Sequence, residues 1–258
     1  DPRVFGAMIA PILGHLDQDF LGIMDEVREN LRYVFQTENR VTLPISGTGT
    51  AGMEAALVNV LEPGDVIVIA VNGFFGDRMA EIAYRCGAEV KKVLFPYGTP
   101  VTVDPLREEL AKHSKVKAVG VVHSETSTGV LSPLTEISKL AHEFDSIFIV
   151  DAVTSLGGVP FHVDEWEIDV AYSSTQKCLA CPPGLSPFTI SERALGVVRK
   201  RESPVRSFYL DVSRLSEYWH ERAYHHTAPV SMIYALQEGL RLIRDEGLEN
   251  QLYRHSLN

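Results

Sequence analysis

Two residues in this chain carry reactive chemistry at the ends of apolar runs. Ser-Ile-Phe-Ile-Val-Asp, residues 146–151, is a buried-strand pattern that ends in a carboxylate, Asp151. Asp-Val-Ala-Tyr-Ser-Ser-Thr-Gln-Lys, residues 169–177, is a second short strand that delivers an amine, Lys177, after a polar turn. An acid at the carboxyl edge of a sheet lies where open α/β folds keep their ligands. Two chemistries suit such a pair. One is a salt bridge at the edge of the core. The other is a site for pyridoxal 5'-phosphate, in which the lysine forms the Schiff base and the acid keeps the pyridine nitrogen protonated.

Upstream, Gly47, Gly49 and Gly52 satisfy G-x-G-x-x-G between a strand and a helix. That spacing is the dinucleotide fingerprint, but the fingerprint also asks for an acid at the end of the next strand. Here Val71 is followed by Asn72-Gly73, so a nicotinamide cofactor is not expected. The loop still suits an anion. Glycines let backbone N–H groups approach a phosphate, the helix start adds a favourable dipole, and Thr48 and Thr50 add hydroxyls. A tight turn with threonine caps is the plainer alternative. In Asn-Gly-Phe-Phe-Gly, residues 72–76, Phe75 has the face to stack on a planar ring, whereas Phe74 reads as core. Thr126 offers a hydroxyl at the next strand end, and Gln176 stands beside the lysine.

These residues need a scaffold, and the chain supplies one. Phe20, Ile23, Met24, Val27, Leu31 and Val34 repeat at helical spacing, with Asp17 as the expected N-cap. Strands are expected at 41–46, 66–71, 90–95, 116–122 and from 147, with helices at 53–60, 74–86, 104–112 and 133–144 between them. Strands alternating with helices of this length predict an α/β fold, a mostly parallel sheet with helices on both faces.

Size and composition are those of a globular α/β chain. There are 258 residues, 45% hydrophobic and 22% charged. A formal net charge of −10 argues against nucleic acid or an anionic membrane surface as a partner. No apolar run is long enough to span a bilayer. Cys86, Cys178 and Cys181 fit a reducing compartment better than a disulfide framework, which points to a cytoplasmic or organellar setting. Cys178 and Cys181 form a single C-x-x-C with no second pair to complete a zinc site. His225 and His226 are adjacent, so they cannot share a metal from a regular element. No G-x-S-x-G elbow marks a serine hydrolase. The last residues stop inside a helical pattern, and the chain is expected to be a piece of a longer protein.

With the glycine loop, Asp151 and Lys177 in order, the chain resembles the class V, fold-type I pyridoxal-phosphate aminotransferases, in particular the alanine–glyoxylate and serine–pyruvate group. Similarity extends over nearly the whole length. It includes Gly-His-Leu-Asp at 14–17, Glu-Ala-Ala-Leu-Val-Asn-Val-Leu-Glu-Pro-Gly-Asp at 54–65, Val-Asp-Ala-Val at 150–153, Pro-Pro-Gly at 182–184, Tyr-His-His-Thr at 224–227 and Glu-Gly-Leu-Glu-Asn at 246–250.

The resemblance implies Lys177 as the Schiff-base lysine and Asp151 as the partner of the pyridinium nitrogen. It implies Phe75 over the ring, where the group often has tryptophan, and Thr48, Gly49 and Thr50 as the phosphate cup. The third cup position is often histidine in relatives. Thr126 would sit near the ring hydroxyl and Gln176 on the phosphate side. Tyr224 and Thr227 would reach the phosphate of the partner subunit in a homodimer with shared active sites. Residues 1–248 would form the cofactor-binding large domain and 249–258 the start of the connection to a C-terminal small domain. That small domain would carry the arginine that grips the substrate carboxylate, and an N-terminal arm would precede the chain. The implied reaction is transamination between a small amino acid, alanine or serine, and glyoxylate or pyruvate. Ureidoglycine–glyoxylate transamination, another class V reaction, and a non-catalytic cofactor-binding role are the alternatives.

Overall fold

A computed structural model describes all residues 1–258. Helix α1 (Pro2–Met8) is followed by α2 (Gln18–Phe35), whose buried face is Phe20, Met24, Val27, Leu31 and Val34, the stripe expected from the sequence. Ile23 is only partly covered. Asp17 does occupy the N-cap of α2, but its carboxylate makes no cap bond to the helix and accepts from the Gly14 amide at 2.8 Å instead.

The chain then alternates. Strand β1 (Val41–Ser46) leads to α3 (Gly49–Val60), β2 (Val66–Val71) to α4 (Phe74–Arg85), and β3 (Glu89–Leu94) to α5 (Val103–Leu110). Gly87, at φ +88°, ends the turn after α4 in a conformation that glycine adopts without strain. Next come β4 (Ala118–Val122), a small hairpin of β5 (Ser124–Glu125) and β6 (Val130–Leu131), and α6 (Leu134–Glu143). Strands β7 (Ile147–Asp151), β8 (Val170–Tyr172) and β9 (Leu185–Ile190) complete the sheet. Helix α7 (Glu192–Arg199), the short α8 (Val212–Ser216) continued by one π-turn, α9 (Val230–Glu246) and α10 (Leu248–Ser256) finish the chain.

The main sheet has seven strands in the order β1-β9-β8-β7-β4-β2-β3. Strands β8, β7, β4, β2 and β3 are parallel neighbours, and β9 alone runs against both of its neighbours, β1 and β8. Every residue of β4, β7, β8 and β9 is buried, which requires cover on both faces. Only β3, at the edge, is polar and largely open, and its lysines blunt that edge. The parallel arrangement puts the carboxyl ends of β7 and β8 side by side, with Asp151 paired in register with Tyr172. The opposite end of β8 is tied down by Asp169, which accepts from the Phe148 amide, Ser191 and Arg193 and pairs with His142.

Candidate active site

A cavity of about 220 Å³ opens at the carboxyl edge of the sheet. Thr48, Gly49, Thr50, Phe75, Asp151, Gln176 and Lys177, seven of the ten residues singled out from the sequence, line it together. The glycine loop enters α3 with Thr48 at the N-cap in an extended conformation and no side-chain cap bond, and the Ala51 amide donates to the Thr48 carbonyl at 2.7 Å, so the Gly49 and Thr50 N–H groups and both threonine hydroxyls remain available to an anion. Gly49 sits in a tight place: a Cβ there would lie 3.0 Å from Ser174 Cβ and 3.1 Å from Val153 Cγ2.

Asp151 is 2% exposed. Its Oδ1 accepts from the Val153 amide at 2.8 Å and its Oδ2 from the Tyr172 phenol at 3.0 Å. Burial pushes its carboxyl up to about 6, against the pull of those two hydrogen bonds. A carboxylate held this way gains from a cationic N–H partner arriving from the cavity. Burial, and then the neighbouring Asp151, raises the Tyr172 phenol well above its usual range, so it stays a donor.

Lys177 is exposed on the cavity wall beside Gln176, whose amide oxygen accepts from Ser174. Phe75 is half-buried against the core and contributes its ring to the cavity. Phe74 departs from expectation. It is 54% exposed rather than part of the core, because the helix start that turns Phe75 inward turns its neighbour outward.

Three expected residues lie elsewhere. Thr126 is exposed and does not line the cavity, and its hydroxyl meets that of Thr154 at 3.2 Å. Tyr224 and Thr227 are both exposed, on a loop distant in sequence from the cavity residues. Between them, His226 bonds Ser46 through Nε2 at 2.7 Å and His225 through Nδ1 at 2.7 Å, while His225 Nε2 meets the Phe208 carbonyl at 3.0 Å. The Cys181 thiol is pushed up to about 12 by burial, which removes it as a nucleophile, and burial raises the half-buried Cys178 as well.

Two residues of the site escape the sequence reading. Arg78 lines the cavity one helical turn beyond Phe75, and that three-residue spacing is the available signal. Glu125 is fully buried and caps α4 from a distance. Its Oε2 accepts from the amides of Phe75 and Gly76 at 3.1 and 3.2 Å, and its Oε1 from Ser127. Gly73 makes room for it, since a Cβ there would sit 2.3 Å from Glu125 Cγ.

An amine, a buried acid, an anion cup and an aromatic face around one cavity match what holds pyridoxal phosphate. The aminotransferase class-V family model matches residues 8–257. The chain belongs to the class-V aminotransferase family. Among curated relatives, it is 43% identical to the (S)-ureidoglycine–glyoxylate transaminase of Bacillus subtilis, covering 99% of this chain and 66% of that protein. It is also 43% identical to the alanine–glyoxylate aminotransferase of Rattus norvegicus, covering 98% of this chain and 62% of the relative. The solved alanine–glyoxylate aminotransferase of Nostoc sp. superposes with a TM-score of 0.97 at 49% identity, covering 99% of this class-V chain and 68% of that structure. The chain thus spans a little under two thirds of the length of the two curated relatives. No helix is long and apolar enough to cross a membrane.

Proposed function

We propose that this class-V chain is the cofactor-binding part of an aminotransferase that uses pyridoxal 5'-phosphate to move an amino group between a small amino acid, alanine or serine, and glyoxylate or pyruvate. The observation that carries the reading is the convergence of Lys177, Asp151, Phe75 and the Thr48–Thr50 cup on one cavity. Identity of 43% to an alanine–glyoxylate aminotransferase supports the substrate class.

Each residue has a distinct task. The free N–H groups at the start of α3, with the Thr48 and Thr50 hydroxyls, hold the phosphate. Asp151 would keep the cofactor's ring nitrogen protonated, and Phe75 would supply the face for its ring. Lys177 would be the residue that holds the cofactor by its amine and, when free, the base that would move the substrate's α-proton on Nζ. The bound cofactor supplies the electron sink for the broken C–H bond. Thr126 and Gln176 are assigned to the ring oxygen and to the phosphate side of the lysine. Tyr224 and Thr227, exposed here, would serve the phosphate of a second copy in a homodimer. Residues 1–248 form the large domain in this reading, and 249–258 lead onward.

Ureidoglycine is the second candidate donor, because the Bacillus subtilis transaminase is as similar as the rat enzyme. The deciding experiment adds L-alanine, L-serine or (S)-ureidoglycine to the cofactor-loaded protein and follows pyridoxamine phosphate in a single turnover. Conversion with alanine or serine supports the first reading, and conversion with ureidoglycine alone selects the second. An unchanged visible absorbance band in Lys177→Ala would remove the lysine from its role.

A further inference from the structure

Arg78 is half-buried on α4, and no carboxylate oxygen lies within 4.0 Å of its guanidinium. Its neighbour Asp77 is engaged instead by Lys92 and Tyr97. The guanidinium carbon of Arg78 stands 4.9 Å from the Phe75 ring centroid and 5.0 Å from that of Phe74, within cation–π range of both. Its side-chain hydrogen bond runs from Nη1 to Thr50 Oγ1 at 3.2 Å.

The direction of that bond has a chemical consequence. A guanidinium has five N–H donors and no acceptor, so the Thr50 oxygen can only accept from it. With the hydroxyl oxygen engaged by Arg78, the hydroxyl proton points away from Arg78 and is left to donate to whatever occupies the cup. Arg78 and Lys177 are also the only cations among the cavity-lining residues, and Lys177 serves the opposite, aldehyde end.

We propose that Arg78, itself held against the Phe75 ring, is a positioning residue of the phosphate cup, which presets the Thr50 hydroxyl as a donor to the phosphate. This rests on the cofactor reading above. The arginine supplies the fixed polarity that a lone hydroxyl lacks.

The test measures binding to the cofactor-free protein of three probes: pyridoxal 5'-phosphate, pyridoxal without the phosphate, and inorganic phosphate. Arg78→Gln should weaken pyridoxal phosphate and inorganic phosphate roughly ten- to a hundredfold, the range of one charge-assisted hydrogen bond, and pyridoxal by less than about threefold. Thr50→Val should show the same pattern. The double variant should lose little more than either single one, since Arg78 acts through Thr50. Arg78→Lys, which keeps the charge without the planar fork, should fall between and serves as the working variant if Arg78→Gln does not fold. Equal losses for pyridoxal and its phosphate, or additive losses in the double variant, would overturn the proposal while leaving the cofactor reading intact. A wild-type protein that binds inorganic phosphate in an Arg78-dependent way but not pyridoxal phosphate would do the reverse.

Discussion

The Tyr172 phenol donates to Oδ2 of Asp151 at 3.0 Å, across the paired ends of two parallel strands. The bond is too weak to offset the cost of burying the carboxylate, whose pKa rises from the ordinary 3.8 to about 6. A folded-state pKa above the unfolded one means that Asp151 favours folding while protonated and loses that advantage as pH rises through about 6. In the cofactor-free protein, the stability of Asp151→Asn relative to wild type should therefore climb by about 2 kcal/mol between pH 4 and pH 7 and then stay flat. Urea unfolding of both proteins across that range checks it, and a difference that does not change with pH would refute it. The same variant should bind pyridoxal phosphate poorly, because an amide oxygen brings no negative charge to a cationic ring nitrogen.

How much of this is legible in the sequence follows from which forces are local. Apolar runs ending in Asp151 and in the turn before Lys177 report strands and their polar ends directly, and the helix–strand alternation implies parallel neighbours. The reversed direction of β9 has no local signal, because a fully buried strand reads the same either way. Phe74 is misplaced because two adjacent aromatics look alike until the helix start fixes their directions. Glu125 is invisible for another reason: its partners, the Phe75 and Gly76 amides, lie about fifty residues away, and only folding brings them together.

Glu125 holds the start of α4, and with it Phe75 and Arg78, directly through Oε2 and, through Oε1, by way of the Ser127 hydroxyl that accepts from the Phe74 amide. Replacing it by glutamine leaves one oxygen for two sets of donors and turns an NH₂ group toward backbone N–H or Ser127. Glu125→Gln should cost roughly 2–3 kcal/mol, the sum of lost hydrogen bonds to a charged acceptor and a buried donor–donor contact. Pyridoxal phosphate binding should weaken with it, since the helix that presents the aromatic face loses its anchor. Thermal unfolding and cofactor titration would show both effects, and a variant of wild-type stability would mean that the cap carries no weight.

The adjacent histidines make a pH prediction of opposite sign. His225 Nε2 donates to the Phe208 carbonyl, and the two Nδ1 atoms face each other across one hydrogen bond while His226 Nε2 meets the Ser46 hydroxyl. That Nδ1–Nδ1 contact has room for one proton, so the two rings cannot both be protonated. Burial, then His225 and His15, lowers His226 from 6.5 to about 4, while the aromatic rings of Tyr209 and Tyr218 pack around it. A depressed histidine stabilises the fold above pH 6.5 and loses that contribution as pH falls toward 4, opposite to Asp151. Wild type should lose stability relative to His226→Gln on going from pH 7 to pH 4.5. Parallel pH profiles for the two proteins would contradict the lowered His226.

The last glycine of the loop is set by packing rather than by any ligand. A Cβ on Gly52 would lie 2.0 Å from Ser186 Oγ and 3.0 Å from Tyr172 Cβ. Ser186 cannot simply turn aside, because its hydroxyl donates to the Ser173 carbonyl at 2.6 Å. Gly52→Ala should therefore push α3 off the sheet at a cost of about 1–3 kcal/mol, the usual range for overpacking. Because Tyr172 is the residue that bonds Asp151, the displacement should reach the site and weaken pyridoxal phosphate binding as well. Adding Ser186→Ala removes the nearest clashing atom and should recover part of both losses. Gly196 gives the control: it lies inside α7, and a methyl group added there would meet nothing within 4 Å, so Gly196→Ala should gain roughly 0.5–1 kcal/mol from helix propensity alone. If Gly52→Ala behaved like Gly196→Ala in urea unfolding, close helix–sheet contact would not be the reason for glycine at 52.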